Sequence, residues 1–193
     1  DEVPLNTGWP PVLGAPSEIA EVFARVGVDL VALANNHSYD QGHRGLQRTM
    51  ELLESAGLAS VGTGFSVEQA FAPHIVESSE LRIAFLSFTG PMNQRPSVRG
   101  ARQVDVARLW DEQRVFAALE SARSEADVVV ALVHWSRDFA PNVPRGLRRL
   151  GHRLVEGGAD VVIGTGPHVL HEVERLERVA ELGAFHRFPG HDL

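Results

Sequence analysis

The sequence contains no cysteine, no lysine and only one tyrosine. The lack of cysteine excludes disulfide bonds and thiolate-ligated metal sites, and the lack of lysine excludes any mechanism that uses a lysine amine. The longest strongly apolar run covers only residues 128–133, whereas a helix that spans a membrane needs about 20 apolar residues. The 18 basic residues are outnumbered by 25 acidic ones, and the net charge of −7 argues against a nucleic-acid-binding surface.

The composition is that of a folded protein. With 193 residues, of which 44% are hydrophobic and 22% charged, the chain has enough apolar residues for one domain of ordinary size. We therefore interpret residues 1–193 as a single domain. The sequence has no recognisable signal peptide, and it begins with Asp rather than Met, so we expect that a further segment precedes it.

Helical and strand patterns alternate along the chain. Apolar residues at helical spacing predict helices over residues 17–26, 43–56, 106–122 and 144–157. Short apolar runs predict strands at residues 29–34, 82–88, 127–134 and 160–164, with weaker candidates at 59–62 and 74–77. This alternation is typical of an α/β fold with parallel neighbouring strands, and the continuous apolar runs predict strands that are covered on both faces.

Three of the predicted strands run into a histidine, namely His37, His134 and His168. Because the carboxyl ends of parallel strands meet at one edge of a sheet, we expect these three side chains to lie on the same rim. The first of them is accompanied by Asn35, Asn36 and Asp40. A single histidine at the end of a strand is more often a hydrogen-bonded structural residue, but three on one edge favour a metal or catalytic site.

Imidazole, amide and carboxylate groups together suit a divalent ion such as Mn, Zn or Fe. Without thiolates an open catalytic site is favoured over a closed structural one. Two aspartates, Asp29 and Asp160, each open a buried strand directly after a helix that ends at glycine. We expect these two side chains to accept backbone hydrogen bonds rather than to act in catalysis.

Several segments resemble the motifs of one protein family, in the family's order. They are residues 33–42 (LANNHSYDQG), 133–139 (VHWSRDF), 158–174 (GADVVIGTGPHVLHEVE), 182–185 (LGAF) and 2–5 (EVPL). On these segments the chain resembles the bacterial capsule synthesis (CapA/PgsA) family, which belongs to the calcineurin-like metallophosphoesterase superfamily. The resemblance implies a four-layer α-β-β-α sandwich. The superfamily's first, aspartate-bearing motif is absent, so the domain would be truncated at its N-terminus.

The resemblance also implies roles for particular residues. One or two divalent ions, Mn, Zn or Fe, would be bound by Asn36, His134, His168 and Glu2. His37 would act as a general acid or contact the phosphate, supported by Asp40, and Asn35, Asp138 and Glu174 would contact the substrate. Family members act in the synthesis of poly-γ-glutamate capsule at the cell envelope, which implies a phosphoester or anionic polymer as substrate and capsule synthase proteins as partners.

Two positions depart from the family pattern. Gly166 stands where a metal-binding histidine is expected, and Ala184 stands where an asparagine is expected. We therefore expect reduced metal occupancy, and either a metal-dependent phosphoesterase-like hydrolase or a relic of one. The alternatives are a non-catalytic domain that binds an envelope polymer or a synthase partner, and an α/β domain with purely structural histidines. Arg95, Arg99 and Arg102 would offer a basic patch to a polyanion.

Overall fold

The computed structural model describes residues 11–94, 103–135 and 138–176. Helices and strands alternate in this part of the chain, as the sequence predicts. The strands are β1 (Leu30–Ala32), β2 (Ala59–Val61), β3 (Thr63–Gly64), β4 (His74–Ser78), β5 (Leu81–Thr89), β6 (Asp105–Val106), β7 (Val128–His134) and β8 (Val161–Thr165). The helices are α1 (Ile19–Arg25), α2 (Gly42–Ser55), α3 (Val67–Phe71), α4 (Glu112–Glu125) and α5 (Arg145–Glu156). The fold is a mixed α/β structure.

The main sheet has four strands in the order β4-β5-β7-β8. Strands β5, β7 and β8 are parallel, and β4 pairs antiparallel with β5. Helices α4 and α5 pack on one face of this sheet, and the side chains buried between them form the larger core. They include Ala84, Leu86, Phe88, Val115, Leu119, Val129, Ala131, Val133 and Leu154.

Two smaller sheets hold the remaining strands. Strand β1 pairs parallel with β2, and β3 pairs antiparallel with β6. Residues 107–109 continue from β6 to the end of β5, where Thr89 N donates to Ala107 O and Leu109 N donates to Thr89 O. The small sheets are thereby attached to the carboxyl end of β5. A second core, which includes Leu33, Leu46 and Leu53, lies under α2.

The prediction of a helix that begins at residue 106 was wrong. Residues 105–106 pair in β6, and the helix begins only after Asp111, whose side chain accepts a hydrogen bond from Arg114 N as an N-cap. Trp110, which falls within the predicted range, precedes the helix and is exposed. The short helix α3 was not predicted, although Ser66 caps it in the same way.

Burial differs from the apolar pattern of the sequence at two elements. On α1, Ala20 is buried and Phe23 packs partly buried against the second core, whereas Ile19 and Val22 are exposed. Strand β8 is not covered on both faces, because it lies at the edge of the main sheet and leaves Ile163 45% exposed. Within the described ranges, no helix has the length and apolar character needed to cross a membrane.

The structural role expected for Asp160 is confirmed. Its Oδ2 accepts a hydrogen bond from Val129 N at 2.8 Å and lies 2.8 Å from Nη1 of Arg123. The carboxylate therefore joins the start of β8 to β7 and to α4. This side chain stabilises the entry to the strand, at the end opposite to the histidine-bearing loops.

Candidate functional site

The loop after β1 is folded around Ser38 and Asn35. Ser38 Oγ lies 2.7 Å from Leu33 O and from Asn35 O, and it accepts a hydrogen bond from Asn35 N at 2.9 Å. Oδ1 of Asn35 accepts a hydrogen bond from His37 N at 2.8 Å. The side chain of Asn35, which we expected to contact substrate, thus shapes the turn that presents His37.

The central feature of this loop is the pair formed by His37 and Asp40. His37 Nδ1 lies 2.6 Å from Asp40 Oδ2, which also accepts a hydrogen bond from Leu13 N at 2.7 Å. The Asp40 side chain is only 2% exposed, whereas that of His37 is 26% exposed. A buried carboxylate on Nδ1 fixes the orientation of the imidazole and leaves Nε2 as the nitrogen that can exchange a proton. This is the arrangement of a general acid or base supported by a carboxylate.

Asp40 also has a polar atom without a partner. Its Oδ1 is buried and makes no hydrogen bond within the residues that the structure describes. A buried carboxylate oxygen without a donor is costly in a folded protein. Burying Asp40 beside His37 therefore costs free energy that its hydrogen bonds to His37 and Leu13 have to offset.

His134 ends β7 and lies close to the loop after β1. Its Nδ1 is 3.2 Å from Thr165 Oγ1 on the neighbouring strand, and its backbone carbonyl accepts a hydrogen bond from Gly90 N. The pKa of His134 is lowered, first because the ring is removed from water and then because of charge on His37 and His168, while Asp138 acts in the opposite direction. His37 and His168 are therefore each near enough to His134 to act on its charge.

The expectation that all three histidines lie on the rim of one sheet needs a correction. His134 and His168 follow strands of the main sheet, but His37 follows β1, which pairs with β2 in a separate small sheet. The two sheets are brought together by the loops that follow their strands. Asn93 N donates to Asn36 O, and Gly90 N donates to His134 O, so the loop after β5 connects the two sheets at this point.

His168 is held in an uncommon backbone conformation. Both His168 and Phe139 have φ of 57°, and their rings stack with centroids 5.4 Å apart. Phe139 N donates a 2.7 Å hydrogen bond to Pro167 O, which ties the two segments together. Nε2 of His168 lies 3.9 Å from Oδ1 of Asp138. Left-handed backbone at residues other than glycine is often found at functional sites, and it places His168 on an exposed part of the rim.

Gly166 has a backbone that suits glycine alone. Its φ is 113°, and a Cβ built on it would lie 2.5 Å from Trp135 O and 3.2 Å from Nε2 of His134. The position therefore lacks the expected imidazole and also lacks space for any side chain, because neighbouring backbone and the His134 ring occupy that space.

Asn93 is a member of the site that the sequence did not reveal. Its Oδ1 accepts a hydrogen bond from Asn36 Nδ2 at 3.3 Å, and its Nδ2 lies 3.4 Å from both ring nitrogens of His37. We interpreted residues 90–100 only as a long loop. The available signal was positional, because Asn93 follows β5 as Asn36 follows β1.

Other expected site residues lie elsewhere or outside the described ranges. Glu174 is bound to α5, where Arg148 Nη1 lies 2.7 Å and His152 Nε2 3.1 Å from its Oε2. It lines a groove of about 790 Å³ between α5, β8 and residues 167–176. The positions of Glu2, Ala184, Arg95, Arg99 and Arg102 fall outside the described residues.

The described donors suit at most one ion. Asn36 Oδ1, His134 and His168 are neutral nitrogen and oxygen donors that Mn, Zn or Fe accept. No group of three or more His, Asp or Glu side chains within the described ranges is arranged to hold a metal. A centre with two ions needs more ligands and a bridging carboxylate. The chemistry of these donors is compatible with one ion and does not fit a pair.

Comparisons with known proteins agree with the motifs. A family model described as "Bacterial capsule synthesis protein PGA_cap" matches residues 2–180. The chain is 25% identical over 164 residues to the capsule biosynthesis protein CapA of Bacillus anthracis, covering 84% of this chain and 40% of that protein. It is 25% identical over 158 residues to the PGA biosynthesis protein CapA of Bacillus subtilis, with 81% and 41% covered.

A third relative comes from a different group of bacteria. The chain is 29% identical over 153 residues to a probable polyglutamine synthesis accessory protein of Mycobacterium tuberculosis, covering 74% of this chain and 40% of that protein. The chain therefore spans about 40% of the length of the curated relatives that it matches.

Proposed function

Because the chain belongs to the bacterial capsule synthesis protein (PGA_cap) family, we propose that it is a phosphoesterase-type hydrolytic domain that acts in poly-γ-glutamate capsule synthesis at the cell envelope. The names of the relatives refer to capsule biosynthesis and to polyglutamine synthesis, and they support the proposed role in capsule synthesis. We further propose that the main and small sheets belong to a four-layer α-β-β-α sandwich, and that capsule synthase proteins are its partners.

The observation that carries the hydrolytic reading is the contact between His37 and Asp40. The buried carboxylate holds Nδ1 at 2.6 Å and stabilises the positive charge that the ring carries when it is protonated. His37 Nε2 then donates a proton to the oxygen of the leaving group. A structural histidine on a surface loop does not require a carboxylate partner that is 2% exposed and whose second oxygen has no donor among the described residues.

The remaining residues of the site would bind a divalent ion and the substrate. Asn36, His134 and His168 would bind one divalent ion, with Glu2 as a further ligand. Such an ion, when bound, polarises a phosphoryl oxygen and lowers the pKa of a coordinated water. Asp138, whose Oδ1 lies 3.9 Å from Nε2 of His168, would contact the substrate beside this proposed ion ligand.

One observation favours a second candidate function. The closed backbone at Gly166 removes the space for a ligand, which suits a non-catalytic domain that binds an envelope polymer or a synthase partner. A polyanion such as polyglutamate would be repelled by the net charge of −7 unless an ion or local arginines offset it.

Hydrolysis of diphenyl phosphate, whose phenolate leaving group is basic enough to need a proton, in the presence of Mn²⁺, Zn²⁺ or Fe²⁺ separates the two functions. We expect slow turnover that falls by about 100-fold or more in His37→Gln and Asp40→Asn, since a general acid or base contributes on that scale. His74→Gln, on β4, is the matched histidine control and should retain full turnover. Turnover equal in all variants would refute the proposal. Binding of polyglutamate with no turnover would favour the non-catalytic domain.

A further inference from the structure

Asn93 contacts both chemical parts of the proposed site. Its backbone N–H donates to Asn36 O at 2.9 Å, and its side-chain Oδ1 accepts from Asn36 Nδ2 at 3.3 Å. Its Nδ2 lies 3.4 Å from both Nδ1 and Nε2 of His37. Equal distances to the two nitrogens mean that the amide packs against the ring instead of pointing at one lone pair. Asn93 is thus joined at once to a proposed ion ligand and to the proposed proton donor.

The loop that carries Asn93 is anchored on the other side of the site. Gly90 N donates to His134 O at 2.9 Å, and Gly90 O accepts from Nη2 of Arg108 at 2.9 Å. Thr89 Oγ1 donates to Pro91 O at 3.0 Å, which fixes the first turn of the loop. Asn93 therefore has a defined position between the end of β7 and the loop after β1.

The hydrogen bond from Asn36 has a chemical consequence. An asparagine binds a cation through its carbonyl oxygen, never through its NH₂ group. If the amide of Asn36 were free to rotate, either group could face the ion. Because Asn93 Oδ1 accepts from Nδ2, the opposite group, Oδ1, is the one directed away from Asn93 and available as a ligand.

We propose that Asn93 is a positioning residue, which orients the Asn36 amide so that Oδ1 is presented to a divalent cation and packs on His37 so that its ring stays beside that cation. This inference rests on the proposed ion site. Partners of metal ligands that act in this way change metal affinity by about 10- to 100-fold when they are replaced.

The first test uses the metal-free chain and does not depend on hydrolysis. The side-chain amide signal of Asn36 in a ¹H–¹⁵N spectrum is identified as the one that disappears in Asn36→Ala. In Asn93→Leu, which has nearly the same shape but no acceptor, we expect the signal to shift and its proton to exchange faster with water. Asn93→Asp keeps an acceptor oxygen for Asn36 and should preserve the slow exchange.

The second test is the affinity for Mn²⁺ measured by calorimetry. We expect Asn93→Leu to bind Mn²⁺ at least tenfold more weakly than the unmodified chain. Met92→Leu, in the same loop, is the matched control and should bind as the unmodified chain does. If Asn93→Leu does not fold, Asn93→Ala replaces it in both tests.

The outcomes of the two tests are distinguishable. An unchanged Asn36 signal in Asn93→Leu, or slow exchange lost equally in Asn93→Asp, would overturn the role of Asn93. An unmodified chain that binds no Mn²⁺ would contradict the proposed ion site, whereas a changed Asn36 signal would still support the orientation of the amide by Asn93.

Discussion

A Cβ atom built on Gly166 would lie 2.5 Å from the carbonyl oxygen of Trp135. Contacts below 3.0 Å of this kind do not occur in folded proteins, and the partner is backbone that cannot rotate away. The residue at which the family pattern expects a histidine has therefore lost both the imidazole and the space for it. Restoring the histidine by a single substitution would require the segment after β8 to move.

Gly166→Ala should destabilise the chain by about 1–3 kcal/mol, because it adds backbone strain at φ 113° to a clash with Trp135. Gly27→Ala is the matched control, since Gly27 has φ 83° but no atom within 4 Å of a built Cβ. That change should cost less, about 1–2 kcal/mol for the left-handed backbone alone. Urea unfolding of both variants measures the difference. Equal losses of unfolding free energy in the two variants would show that the backbone moves away from Trp135 without a measurable loss of stability.

Gly166→His should not increase the amount of Mn²⁺ bound per chain. The new ring would start from a backbone that points its Cβ at Trp135 O and at the His134 ring, so it could not reach the rim without rearrangement. Equilibrium dialysis against Mn²⁺ compares the variant with the unmodified chain. A gain of bound ion would show that the loop adapts more readily than its geometry indicates.

Asp160→Ala should lower the free energy of unfolding by about 1–3 kcal/mol, because it leaves Val129 N without its acceptor and Arg123 without its carboxylate. Asp160→Asn keeps an oxygen for Val129 N and should lose less. Neither change should affect Mn²⁺ binding, since Asp160 opens β8 and the proposed ligand His168 follows its other end. Loss of Mn²⁺ binding with unchanged stability would contradict the structural role of Asp160.

The only tyrosine of the chain, Tyr39, should titrate at high pH. Its hydroxyl donates to Val104 O at 2.6 Å, and burial together with the charge of Asp105 raises its pKa to about 12, against the influence of Arg108. The phenolate absorbance should therefore appear about two pH units later in the folded chain than in the unfolded one, where the pKa is about 10.

This shift also predicts a dependence of stability on pH. The neutral phenol is favoured in the folded state, so its contribution is fully present below pH 10 and is lost as the pH rises from about 10 to about 12. Tyr39→Phe should remove this loss and should itself cost about 1 kcal/mol at neutral pH. If the phenol of Tyr39 titrated near pH 10 in the folded chain, the side chain would be exposed to solvent, which would contradict the prediction.

The sequence predicted the elements that depend on local patterns. The apolar runs at β5, β7 and β8 and the helices α2, α4 and α5 were found because their residues recur at the spacing of strands and helices. The start of α4 was missed because residues 105–109 make backbone hydrogen bonds to distant segments, Gly62 and Thr89 among them. Backbone pairing of this kind in a short segment produces no periodic pattern of apolar residues in the sequence.

The candidate site was predictable to a similar extent. The proximity of Asp40 to His37 follows from their spacing within one turn, and the position of His134 follows from the end of a recognisable strand. Asn93 was not predictable, because its contact with Asn36 spans 57 residues and depends on how two sheets meet. The conformation of Gly166 is likewise set by Trp135, which a single sequence does not place beside it.

The number of Mn²⁺ ions bound per chain, counted by native mass spectrometry at saturating Mn²⁺, decides whether the site holds one ion or two. The proposed ligands, Asn36, His134, His168 and Glu2, would serve one ion, and a Cβ at Gly166 would clash with Trp135 O, where a further ligand is expected. We predict that the unmodified chain binds no more than one ion. This ion should be lost in His134→Ala and retained in the control His74→Ala. Two ions bound to the unmodified chain would contradict this prediction.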